Sequence, residues 1–438
     1  MMLGSPDGSP DSDGDGDTDS QTETGTETEV ETDADCFQGD YTIVDEAGVA
    51  ALQPYPCITG SLIVSETALT TLELPNLVWV GHDLEISGND ALTSLEGLSN
   101  LTSVGWQMTL YCNAALASLE GLDNLDSVGT MLDICGNASL TSLDGLGNLV
   151  SLEGCLNIDQ NDALANLEGL SNLASVDGYL DISGNGALTS LDGLSNVASV
   201  GGSLSIAGND LLSNLDGLGN VTSVAQILSI EDNDLLTSLD GLSNLSSSVG
   251  SLRIRLNAAL ADVSGLSGIT AVSWDLGVEE NAVLPSLDGL EHITSVGDDA
   301  RIRVNGALEN LDGLSSLTSV GGSLLVYSND ILTDLDGLIG LTSVGGSLSV
   351  FTDPALTNVD GLGHVASVGG DLYVETNDAL TNLDGLDDLT SLSGDLYIHE
   401  NAVMPQCEAC DLLDQLVGFS GDVTFYDNEA DTCTDDCS

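Results

Sequence analysis

The sequence predicts an all-β protein: a single-stranded β-helical solenoid of about fourteen 24-residue turns with cysteine-containing caps. Three observations predict it. An asparagine returns every 24 residues from Asn89 through Asn329, then as Asp353, then at Asn377 and Asn401. The glycine of an acid-Gly-Leu turn keeps the same step from Gly97 to Gly385. Between them, leucine or valine recurs at every third residue. Self-similarity at a fixed period marks a solenoid, and a constant period stacks equivalent side chains in columns.

The elements follow in chain order. Residues 1–35 hold 12 acids and almost no apolar side chain, the composition of a disordered, self-repelling linker. Residues 36–60 make an N-terminal cap, in which Cys36 and Cys57 bracket an apolar segment. A G-S-L-I-V strand at 60–64 then leads into a solenoid over 61–401.

Residues 83–105 show one turn. Leu84 and Ile86 alternate with Glu85 and Ser87, the period of a strand with one buried face. Asn89 turns the chain, and its stacked copies allow an amide ladder along the solenoid. Leu92, Leu95, Leu98, Leu101 and Val104 then point inward step by step. Gly97 sits where the chain bends without a Cβ, after a carboxylate suited to bonding the turn backbone. A three-residue beat broken by Gly and Ser holds no amphipathic helix, so helix content is expected to be low.

Residues 402–438 form the C-terminal cap, with Cys407, Cys410, Cys433 and Cys437. Their C-x-x-C and C-x-x-x-C spacing also fits a zinc site. The Asp-rich surroundings favour disulfide staples, which need an oxidising compartment. Cys112 and Cys135 fall on adjacent turns one column apart, placed to pair; Cys155 is then a small buried thiol.

Seventy-one acids face four arginines and no lysine, for a net charge of −67. Phosphate backbones and anionic lipid surfaces require clustered cations, so nucleic acid and direct membrane partners are excluded. There is no apolar run of the about 18 residues a membrane helix needs, nor a signal-peptide core. An export signal is therefore expected upstream of Met1, and the protein is expected to be extracellular or at the outer cell surface. A saline exterior would screen such a charge.

The repeat G-x-L-x-I-x-x-N-x-x-L-x-x-L-x-G-L-x-x-L-x-x-V covers about residues 58–428. With the cap Y-T-I-V-D-E-A-G-V-A-A-L-Q-P-Y-P-C it resembles the receptor L-domain family. That family comprises leucine-rich, right-handed β-helical modules that serve as ligand-binding lobes of insulin-type receptors. The resemblance extends to long-repeat relatives in fungal cell walls and in bacterial surface proteins with acidic Asp/Thr linkers. It implies a right-handed coil, a binding role and tethering at a surface, as in a lipoprotein. It does not imply hormone binding, because the receptors carry few and irregular turns.

The period also addresses the exposed strand positions. All four arginines fall in two neighbouring columns: Arg253 and Arg255 on one turn, Arg301 and Arg303 two turns later, with Glu279 between. Strands spaced about 4.8 Å apart separate the pairs by about 10 Å. They read as an anion-accepting patch or as an Arg–Glu–Arg ladder, and four cations exceed what one glutamate needs. Further along, the face turns aromatic with Tyr327, Phe351, Tyr373 and Tyr397, together with His399, and Tyr426 where the cap strand aligns. Such a strip serves sugar or protein binding, or cross-strand stacking.

The acids before the turn glycines form a third column, in which Asp312, Asp336, Asp360 and Asp384 are weak calcium candidates; no other cofactor is implied. Four histidines lie on distant turns, and no nucleophile motif accompanies them. The sequence therefore predicts no enzyme. It predicts a recognition module that binds an extracellular protein or glycan through one strand face. A structural spacer without specific ligand is the alternative, and a glycan-active β-helix enzyme a weaker one.

Overall fold

A computed structural model describes residues 35–429. Most of the regular structure is strand, and the strands are parallel. Seventeen of them form one long sheet, while three short sheets of four, four and five strands run along another side. Only two α-helices are present among the described residues, Glu46–Leu52 and Gln406–Gln415. The arrangement is that of an all-β repeat solenoid.

The 24-residue period sets the register. Strand Leu180–Ser183 pairs with Leu204–Ala207 so that Leu180 meets Leu204 and Ile182 meets Ile206. Two-residue strands such as Ser199–Val200 repeat the pattern at Ser223–Val224. Between the two lies a single 3-10 turn, as at Asp192–Leu194 and Asp216–Leu218. The beat of three in the sequence matches a series of backbone hydrogen bonds to the third residue back, from Leu188 to Asn185, Leu194 to Leu191 and Val197 to Leu194. Leu188, Leu191, Leu194 and Val197 thereby all face one core and are fully buried.

At most turns the glycine has a different reason from the one expected, although Gly121, Gly145 and Gly289 do hold positive φ. Gly217 does not adopt a left-handed backbone. A Cβ there would instead stand 1.9 Å from the Leu191 carbonyl oxygen of the preceding turn. Turns are stacked so closely that only hydrogen fits. The preceding acid does not cap either: the Asp192 amide donates to Ser190 Oγ, two residues earlier, at 2.9 Å.

The asparagines form the expected ladder, and every one is fully buried. Asn209 Nδ2 donates to the Ile182 carbonyl at 2.9 Å, to the Ala207 carbonyl at 3.0 Å and to Asn233 Oδ1 at 3.4 Å. The Asn209 amide also donates to Asn233 Oδ1, at 3.2 Å. Each side chain thus satisfies a corner of its own turn and ties it to both neighbours.

Both ends are closed. Asp45 caps the first helix, its Oδ1 accepting from the Ala47 and Gly48 amides at 3.0 Å. Cys36 and Cys57 form the expected disulfide. At the other end, Ala409 and Leu412 of helix Gln406–Gln415 cover the last core layer. Strand Val423–Tyr426 then extends the main sheet, with Tyr426 opposite His399. Cys407 and Cys410 are each disulfide-bonded; Cys433, Cys437 and all but the last residue of the expected linker 1–35 lie outside the described residues.

Cys112 and Cys135 do not pair; both are free thiols, as is Cys155. Tyr111, not Cys112, is opposite Cys135 in the sheet. Cys112 lies one residue further, in left-handed backbone at φ 52°, with its sulfur over Gly136. Cys135 faces Asp159, its sulfur 3.6 Å from Oδ2. Burial and then that carboxylate push the thiol up to about 12.

Candidate functional site

Register brings the sequence-predicted residues of the strand face together in two columns. The outer one runs Glu231, Arg255, Glu279, Arg303, Tyr327, Phe351, Glu375, His399, Tyr426 across consecutive strands. Beside it, the inner column places Gly277 between Arg253 and Arg301. Gly277 is the one position of that column without a side chain. The four arginines surround a recess of about 260 Å³ floored by Gly277, with Asp275 and Glu279 in its wall.

The expected surplus of cations is absent. Arg255 Nε bonds Glu231 Oε2 at 2.6 Å. Arg303 is paired with Glu279, with Glu280 at 3.9 Å. Arg301 is paired with Asp299 and reaches Asp275 at 3.4 Å. Arg253 approaches Asp275 only to 3.9 Å, beyond hydrogen-bonding distance. Five carboxylates therefore face four guanidiniums. Sequence reasoning weighed only Glu279 because Asp275 and Asp299 lie outside the strands, each one residue before its strand begins. The same 24-residue step flags them as a column of their own, to which Asp371 and Asp395 also belong.

Carboxylates outnumber guanidiniums by one, yet hydrogen-bond donors are left over. Arg255 uses only Nε, and Arg253 makes no hydrogen bond to a described residue. Both side chains are about two-fifths exposed, at 42% and 40%. Glu279, by contrast, is buried. Burial opposes the charge on Arg303, but the Glu279 hydrogen bond and charge outweigh it and raise its pKa above the ordinary arginine value.

The aromatic strip is self-stacked. Tyr327 and Phe351 lie parallel with centroids 4.3 Å apart, Tyr373 and Tyr397 at 4.6 Å, His399 and Tyr426 at 4.3 Å. The Arg303 guanidinium sits 5.7 Å from the Tyr327 centroid. Ring faces thus point along the sheet at one another, the arrangement of cross-strand stabilisation. Asp371 and Asp395 accept from the hydroxyls of Tyr373 and Tyr397 at 3.0 and 3.2 Å. Burial, then Asp371, pushes Tyr373 up to about 12.

Asp312, Asp336, Asp360 and Asp384 are exposed, each opening its 3-10 turn. Among the described residues no three His, Cys, Asp or Glu side chains converge as a metal site. Burial and then Asp334, Asp360 and Asp312 push the Asp336 carboxyl above its ordinary range.

One residue inside the ladder departs from it. Asp353 is fully buried, and its Oδ1 accepts from the Asn329 amide at 2.7 Å and Asn329 Nδ2 at 3.3 Å. Its Oδ2 has no partner among the described residues. In the flanking turns that position is a donor: Asn329 and Asn377 give Nδ2 to Ile302 and Val350 carbonyls. Burial pushes the Asp353 carboxyl up to about 7.

Beside the recess, the residue after each strand adopts left-handed backbone turn after turn. Leu256 and Val304 are the only aliphatic residues in that column. They follow Arg255 and Arg303 directly and are 42% and 41% exposed. No helix among the described residues is long and apolar enough to cross a membrane. No family model matches the chain, and no curated protein matches it.

Proposed function

We propose that the chain is a non-catalytic recognition module of the extracellular space or outer cell surface, a receptor-L-domain-like solenoid. In this reading the coil is right-handed and about fourteen turns long, and it binds a protein or glycan through the strand face around the arginine recess. The observation that carries the reading is the concentration of every cation of an otherwise acidic chain around one glycine-floored recess. Concave sites with a few convergent polar groups are where ligands bind. Exposed Leu256 and Val304, the only aliphatic residues of their column, support the same place by offering apolar surface beside it. The cap disulfides suit an oxidising compartment.

A binding screen on glycans and surface proteins tests the reading, repeated with Arg255→Ser and Arg303→Ser. A ligand lost in both variants supports it. Binding unchanged in both, or no ligand at all, overturns it.

The second reading, a structural spacer, is favoured by one observation: the rings stack on one another and each arginine has a carboxylate within 4 Å. A spacer needs no free donors, whereas Arg253 and Arg255 retain them.

A further inference from the structure

We propose that the recess binds a single sulfate ester carried on an otherwise uncharged body, as on a singly sulfated sugar. This rests on the recognition reading above and names the ligand class for the same site.

The argument starts from donors. Arg253 and Arg255 stand two residues apart on strand Ser251–Arg255, so they share one face. Their terminal nitrogens make no hydrogen bond to a described residue. A guanidinium is a planar fork of N–H donors with no acceptor, and its natural partner is an oxyanion. A carboxylate offers two oxygens and is satisfied by one fork. A sulfate ester offers three terminal oxygens and can engage both.

Charge then limits the ligand. Five carboxylates already face the four guanidiniums, so the neighbourhood does not attract multiple charges. A sulfate monoester carries one negative charge. A polysulfated chain would run over adjacent turns of the same columns. The adjacent turn on one side presents Glu231 and that on the other the uncharged Tyr327 and Leu325. Further along the same columns anions return at Asp181, three turns before Arg253, and at Glu375, three turns after Arg303.

Shape gives the third constraint. Gly277 is bracketed in register by Arg253 and Arg301 and leaves a gap between two guanidiniums, into which the Glu279 carboxylate reaches from its Arg303 partner. Exposed Leu256 and Val304 at the edge offer apolar surface to the uncharged body.

The test uses the full chain with methyl sulfate, inorganic sulfate and acetate at matched ionic strength, followed by NMR of the arginine Nε–H signals. Methyl sulfate is expected to shift Arg253 and Arg255 saturably, at least several-fold more tightly than acetate or inorganic sulfate. Two variants separate charge from shape. Arg253→Ser removes a fork. Gly277→Ala keeps every charge and fills the floor; its Cβ would stand 2.8 Å from Glu279 Oε1 and meets no backbone atom, so the accommodation falls on the Glu279 side chain and its Arg303 pair and not on the strand. Both are expected to weaken methyl sulfate at least tenfold with unchanged circular dichroism. Absence of a saturable shift, acetate or inorganic sulfate binding as tightly as methyl sulfate, or a Gly277→Ala variant that binds normally each overturns the proposal.

Its failure is distinguishable from that of the recognition reading. A glycan or protein ligand sensitive to Arg255→Ser but not displaced by methyl sulfate keeps recognition and removes the sulfate assignment. Methyl sulfate bound with no macromolecular ligand found does the reverse.

Discussion

The asparagine column and the outer strand column run side by side along the same coil on the same 24-residue step, yet they behave oppositely. The first varies once, at Asp353, and is fully buried. The second changes at nearly every turn, from acids through arginines to rings, and is largely half-exposed. What separates them is the supply of alternatives. A buried amide must satisfy specific carbonyls, and no other side chain carries the same donor and acceptor in that space. A half-exposed strand position has only to suit its cross-strand neighbour, and charge pairs or stacked rings serve equally. Uniformity therefore marks the column that builds the fold, and variation marks the one free to acquire a use.

The sharpest way to break this contrast is to change one residue in each column. Asn209→Ala removes a donor to the Ile182 and Ala207 carbonyls and the link to Asn233. It also strips the Asn185 amide of its acceptor at 3.2 Å. Each buried group left unpaired costs about 1–3 kcal/mol, so the loss is expected to be on the order of 4 kcal/mol by urea unfolding. Phe351→Ser in the outer column, which removes the stack on Tyr327, is expected to cost about 1 kcal/mol. Equal costs would remove the distinction.

Asp353 is the natural experiment within the constant column. Its carboxyl is raised on folding from the ordinary aspartate range to about 7. The folded chain therefore holds the proton more tightly than the unfolded chain. Stability from this group is complete below about pH 4, where unfolded aspartate is protonated, and is lost as pH rises through 7. Asp353→Asn supplies the missing donor and removes the titration. It is expected to gain on the order of 3 kcal/mol at pH 8.5 and much less at pH 4. A gain independent of pH would show that the carboxyl does not titrate there.

The limits of what the sequence disclosed follow the same division. Period, register and the buried ladder were legible because each is an i to i+24 relation, and the Cys36–Cys57 staple because its two cysteines bracket the first apolar segment, 21 residues apart. The glycine's role was misread: its constraint is the Leu191 carbonyl of the previous turn, a contact invisible in a single-turn reading. Arg253 and Arg301 reach acids outside their own column, so the ion pairing depended on side-chain reach rather than on spacing. For the same reason the stacking of Tyr373 on Tyr397 follows from the address, whereas the orientation of their ring faces does not.

The left-handed column after each strand lies between the two extremes, since its backbone is constant and its residues vary. Val304 holds φ 57°, a conformation that a β-branched side chain adopts only under strain, whereas Gly208 occupies the same place at φ 62° without a Cβ. Val304→Gly is expected to relieve about 1 kcal/mol of strain, partly offset by the greater freedom of glycine in the unfolded chain. The net gain at the urea midpoint is therefore small, a few tenths of a kcal/mol. The same change at Thr376, which also holds φ 57°, controls for the backbone, because Thr376 lies far from the arginines. If Val304 is retained for its exposed apolar surface beside the recess, Val304→Gly weakens ligand binding and Thr376→Gly does not. If both leave binding unchanged, the column is scaffold like the asparagines, and recognition is confined to the arginine forks.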